Sequence, residues 1–256
     1  MAQGEDTSTS TQLLETPAML SQHATDLLIS LMYADRLGSQ ASGSKKRLSF
    51  RGGRQFFEDF GQLAGIGSRT IMKRARLELQ VSGALLADRH RTHKHYQLAN
   101  DPWTLFKQYN GLMTSPILAT RTYTADEFEQ LLKISGDFSE NFPLEAAGTV
   151  LIKAAIFGSN QPLIYAVSQA AYDRLLKAEL TLKIANSKHR VDDSRAVIIQ
   201  TWSVDPATVS RRLHGGISTP QADPIHLYLS LLTTGSIKAQ TEAAQLVENN
   251  IALNGD

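Results

Sequence analysis

The stretch GIGSRTI (65–71), continued by KRARLEL (73–79) and SGALLADRHRTHKHYQL (82–98), decides how this chain is read. Ala64-Gly65-Ile66-Gly67 has the composition of a tight turn, and Ser68 behind it can cap a helix. That helix is expected from Arg69 to about Val81, with Gly83 as its stop. Ala84–Ala87 and His95–Leu98 then flank a polar, basic tip, Asp88–Lys94, in the spacing of a β-hairpin. Upstream, Gly53–Leu63 places Phe56, Phe57, Phe60 and Leu63 on one helical stripe. Further upstream, Leu20, Ala24, Leu27, Leu28, Leu31 and Met32 recur at spacings of three and four, the core face of a helix over about 18–37. Gly38 is expected to end it, and GSQASGSKK (38–46) reads as a flexible linker.

Projected at about 100° per residue, the 69–80 segment separates two faces. Ile71, Ala75 and Leu79 lie on one side; Arg69, Lys73, Arg76 and Gln80 share an arc opposite. This is the layout of a helix packed by its apolar side with its basic side offered to a major groove. Arginine pairs bidentately with guanine and glutamine with adenine, while lysine mostly meets phosphate. Ser68, Arg69, Thr70 and Lys73, in the first turn, are the expected groove contacts, Arg69 foremost as base reader; Arg74, Arg76 and Gln80 complete the helix's candidates. The wing tip adds Arg89, Arg91, His93 and Lys94 for phosphate or minor-groove contact. A metal reading of His90, His93 and His95 lacks a carboxylate or cysteine and is crowded by cations, so no metal and no cofactor is expected.

Helix, helix–turn–helix and basic hairpin is the order of a winged helix, and residues 53–100 resemble bacterial winged helix-turn-helix regulators. Their pattern runs Gly, Val/Ile, Ser, two residues, Thr, Val/Ile, a basic helix, then Gly-Leu-Ile and a wing. Gly67 stands here where the family usually has Ser, and Thr70–Gly83 is one residue longer. The resemblance implies binding to double-stranded DNA, with a homodimer reading paired half-sites.

Charge agrees in its distribution. The whole chain carries a net +1, yet residues 45–107 hold thirteen Lys/Arg against five Asp/Glu, leaving the remainder acidic. Such asymmetry points to a basic module for a polyanion joined to an acidic module with another task. Lys45, Lys46, Arg47, Arg51 and Arg54 form a second basic cluster, an arm along the phosphate backbone or a solvated loop. The absence of cysteine excludes disulfides, thiolate nucleophiles and Cys-ligated zinc. No apolar run has membrane-helix length, and the start of the chain shows no leader pattern; a cytoplasmic protein with no membrane partner is expected.

The expected domains are a disordered tail (1–17), a winged helix-turn-helix domain (18–100), a connector (101–121) and a mixed α+β domain (122–256) ending in an αα-hairpin. Trp103, Phe106 and Tyr109 are expected to pack the domains together. Thr124-Ala-Asp-Glu127 is a capping box opening a helix with Phe128, Leu131 and Leu132 inward. Strands are expected at 149–157, 161–167, 180–184 and 195–202, with a helix over 168–178. Asp223 caps a Pro224-led helix carrying Ile225, Tyr228, Leu229 and Leu232, which Gly235 stops. Ser236 opens a second helix with Ile237, Ala244, Leu246 and Val247 apolar, the pair serving as a lid on the sheet.

Residues 222–250 resemble, more loosely, the end of the abortive-infection type IV antitoxins. That resemblance implies a repressor of its own operon whose C-terminal domain counters a nucleotidyltransferase toxin, a partner acted on indirectly. No nucleophile elbow, phosphate loop or dinucleotide fingerprint is present, and Glu140, Glu145, His189, Asp192, Asp193 and His214 stand scattered, so no enzyme is expected. The expected function is a DNA-binding transcriptional regulator. The alternatives are a plasmid or mobile-element replication or maintenance protein that binds repeated sites, and a module whose winged helix binds protein.

Overall fold

The computed structural model describes residues 18–42, 48–90, 93–134, 144–145, 163–185, 196–213, 221–234 and 236–252. They form a mixed α+β structure with two small sheets. The first helix, α1 (Gln22–Ser42), lies in the middle of the helical part, against α2 (Arg54–Phe60), α3 (Arg69–Val81), α4 (Pro102–Tyr109), α7 (Pro206–Leu213) and α9 (Ile237–Ile251). Leu27, Leu28, Ile29, Leu31 and Met32 have no solvent exposure at all, so the helix buries more than the one face its periodicity announced. It also runs through Gly38 instead of stopping there. The Leu48 side chain occupies the space a Cβ at Gly38 would need, so this glycine serves a close approach inside the helix; 38–42 of the expected linker are helical, and 43–46 lie outside the described residues.

A short strand, β1 (Phe50–Arg51), which has no local signal, pairs with β3 (His93–Leu98), and β3 pairs in turn with β2 (Leu85–His90). Both pairings are antiparallel, giving the order β1-β3-β2, with unbroken register from Leu85↔Leu98 to His90↔His93. Phe56, Phe60, Leu79, Leu85, Tyr96 and Leu98 fill the space between this sheet and α1–α3.

The second sheet has the order β4-β7-β6-β5, from β4 (Ile117–Thr124), β7 (Ala196–Trp202), β6 (Leu163–Ser168) and β5 (Leu144–Glu145). Strands β6 and β7 are parallel and joined through α6 (Gln169–Ala185); the other neighbours are antiparallel. One face packs on α6 and α5 (Ala125–Ile134) through Tyr123, Phe128, Leu131, Val167, Leu175 and Ile199. From the other face Ile164, Ala166 and Trp202 enter the large core around α1. The Thr124/Glu127 capping box forms as expected, each side chain accepting from the other residue's backbone N–H.

Several expectations are corrected. Residues 180–184 alternate like a strand but continue α6, because Ala171, Leu175 and Ala178 repeat at helical spacing and Glu179 pairs with Arg121 of β4 at 2.6 Å. The connector contains a helix: Asp101 Oδ1 accepts the Thr104 N–H at 2.9 Å and Pro102 occupies the first turn. Phe106 and Tyr109 are buried there, and Phe106 meets Tyr228 of α8 (Pro224–Thr234) edge-on at 5.3 Å. The α8/α9 pair packs on α1 and α4 as well as on the sheet, where His226 of α8 meets Trp202 of β7 at 5.9 Å. Its buried stripe on α9 is Ala239, Ala243, Val247 and Ile251, whereas Ile237 is 83% exposed, as is 41% of Leu232 on α8. The expected strand at 149–157 lies outside the described residues, as do the tail at 1–17, Lys45–Arg47, Gly235, His189, Asp192, Asp193 and His214. Among the described residues, no helix is long and apolar enough to cross a membrane.

Candidate nucleic-acid interface

One glycine and one serine set the turn between α2 and α3, and a second glycine sets the exit from α3. Gly65 adopts φ +61°, and a Cβ there would collide with the Ser203 carbonyl oxygen just beyond β7. The turn is thereby seated on the loop that leaves the second sheet. Ser68 caps α3, its Oγ accepting the Thr70 N–H at 3.3 Å, and Gly83 takes φ +81° where the chain leaves for β2. Tyr109 of α4 holds that exit by donating to the Ser82 carbonyl.

The inward edge of α3 is Met72, Ala75 and Leu79, with Ile71 only half-buried. Taking Met72 rather than Ile71 as core rotates the outward arc by roughly a quarter turn from the sequence-based one, given about 100° per residue. Thr70, Lys73, Arg74, Leu77 and Val81 now face solvent, with Arg69 at the flank. Arg76 belongs to the seam between helix and sheet: its guanidinium lies 4.5 Å from the centroid of Tyr96 and 5.7 Å from that of Phe56. Gln80 is half-buried beside it on the helix, and Arg69 reaches over Phe57 at 6.0 Å. Glu78, the acid of this helix, is turned to the start of α1, where it accepts from the Ser21 N–H at 2.5 Å and the Ser21 hydroxyl at 2.7 Å. The exposed arc therefore carries cations, a hydroxyl and two apolar side chains, and no carboxylate.

Arg89 and Lys94 are cross-strand neighbours near the end of the β2/β3 ladder, both exposed. Arg91 lies outside the described residues, and of His93 only its backbone in β3 is described. His95 is oriented by Ser49, whose hydroxyl oxygen is 3.2 Å from Nδ1. In the basic segment ahead of the turn, Arg54 pairs with Glu58 one helical turn on, which partly neutralises that cluster.

A buried polar cluster, unsuspected from the sequence, joins α1 to α8. Asp223 Oδ1 caps α8 by accepting the His226 N–H at 3.1 Å, and also accepts the Tyr33 hydroxyl at 2.8 Å. His226 lies between two carboxylates, Nδ1 2.8 Å from Asp223 and Nε2 3.4 Å from Asp26. Gln22 donates to Asp26 at 3.0 Å and to the Ser203 hydroxyl at 2.9 Å, which ties the cluster to the loop under Gly65. Burial alone would push the imidazole down. The Asp223 charge, with hydrogen bonds to Asp223 and Asp26, outweighs it and raises His226 to about 10. Burial likewise pushes Asp223 up, yet the His226 charge and the bonds from His226 and Tyr33 hold it below the usual carboxylate range. The imidazolium is enclosed, at 1% exposure, and it supports the fold rather than a reaction with solutes.

The chain matches no family model, no curated protein and no solved structure.

Proposed function

We propose that the chain is a sequence-specific duplex-DNA-binding regulator, with residues 18–100 acting as a winged helix-turn-helix. The observation that carries this reading is the outward arc of α3, cationic and free of acid, standing beside a three-stranded sheet of order β1-β3-β2. The helix would enter the major groove with Thr70, Lys73 and Arg74, while Arg69 reaches a base edge from the first turn. Arg89 and Lys94, with Arg91 and His93 at the tip, would follow the phosphates as a wing. Arg76 and Gln80 would support the helix from its side. A homodimer would place two such helices on paired half-sites.

Selection of bound sequences from random duplex DNA, at low and at moderate salt, tests the proposal. One inverted repeat is the expected product. An array of tandem repeats would favour a replication or maintenance role, and the absence of any salt-sensitive binding would contradict DNA binding altogether. On the selected site, Arg69→Ala is expected to cost about 1–3 kcal/mol and to relax preference at one position.

A further inference from the structure

The outward arc of α3 holds two large apolar side chains where a purely electrostatic surface would have none. Leu77 is 57% exposed and Val81 82% exposed, one helical turn apart and in line with Lys73. Lys73 and Arg74 stand one turn before Leu77, and Glu78 is bound away at Ser21. An apolar protein partner docking here would have to strip water from both cations without supplying a counter-charge. A major groove supplies both at once: phosphates along its walls for the cations, and on its floor the 5-methyl group of thymine, the one strongly apolar feature a base pair presents there.

We propose that Leu77, supported by Val81, reads thymine methyl groups, so that the site this protein prefers contains thymine at the step facing the middle of α3. This rests on the DNA-binding reading and adds a determinant of specificity that hydrogen bonding does not provide. Leu77 makes the apolar contact, and Lys73 and Arg74 set the depth of the helix through the flanking phosphates.

The test removes the methyl group and leaves the protein untouched. In the selected duplex, each thymidine is replaced singly by deoxyuridine, and the Kd is measured for the wild type and for Leu77→Ala. The expected result is a roughly three- to tenfold loss at one or two positions for the wild type, the scale of one buried methyl contact. Leu77→Ala is expected to bind the thymine duplex at that weakened level and to be indifferent to uracil at those positions. Wild-type binding that ignores uracil everywhere would overturn the inference while leaving DNA binding intact. Discrimination that persists in Leu77→Ala would do the same. Absence of duplex binding by the wild type would overturn both. In that event, loss of a concentration-dependent dimer in Leu77→Ala, read by sedimentation, would assign the patch to a second copy of the chain.

Discussion

Helices α1 and α3 use charge in opposite ways. In α1, Asp26 and Asp35 are buried and bonded, Asp26 to Gln22 and His226, Asp35 to the Leu48 N–H at 2.6 Å. In α3, Lys73 and Arg74 are exposed and the acid of the helix is bound elsewhere. A buried charge must be met inside the protein, because desolvation costs several kcal/mol per ion. An exposed cationic arc is met by water and counterions until a polyanion releases them. Charged side chains thus hold the fold together in one helix and leave a surface available in the other. Substitutions in α1 and at its partners should therefore register in stability, and those on the arc of α3 in binding.

The largest break in stability is expected at the buried cluster. His226→Ala leaves two enclosed carboxylates facing each other, and a loss of about 3–5 kcal/mol is expected from urea unfolding. A loss below about 1 kcal/mol would mean that the cluster relaxes by taking in water. Next comes Gly65→Ala, expected to cost about 1–3 kcal/mol from the positive φ, with the collision at Ser203 adding to it. Since the turn rests on that loop, DNA binding should fall along with stability. The pH profile sharpens the same contrast. The folded His226 titrates near 10, above its ordinary 6.5, so its stabilisation is complete below about pH 6.5 and lost as pH rises through 10. Asp223 acts with the opposite sign, stabilising above its ordinary range and losing that contribution as pH falls below it. Thermal melting should show the alkaline decline in the wild type and a shallower one in His226→Ala. Smallest is the pair within α3: Arg76→Ala should cost about 0.5–2 kcal/mol through its lost aromatic stack, whereas Lys73→Ala should stay within about 0.5 kcal/mol.

How far the sequence revealed this molecule depended on the range of the interactions. Local devices were readable. The apolar spacing in α1, the Thr124/Glu127 box and the caps at Ser68, Asp223 and Ser236 all stand in the structure. Asp101-Pro102 and Asp205-Pro206 carry the same cap-and-first-turn signature as Asp223-Pro224, and both open helices. Strand β1 was illegible, since two residues with no pattern of their own become a strand only through Tyr96 and His95 opposite them. The outward arc of α3 was misplaced because Ile71 and Met72 are equally apolar, and only the packing against α1 and the sheet selects Met72. Nor could spacing show that Asp26 and His226, 200 residues apart, share a hydrogen bond.

The most direct measurement of the central claim is the salt dependence of duplex binding for the wild type and for a Lys73→Ala/Arg74→Ala double variant. Each phosphate contact contributes about 0.9 to the slope of log K against log salt. If the arc of α3 lies against DNA, the double variant should bind with a slope shallower by about 1–2 and an unchanged melting temperature. An unchanged slope, with both proteins binding equally well, would contradict the assignment of this face to DNA.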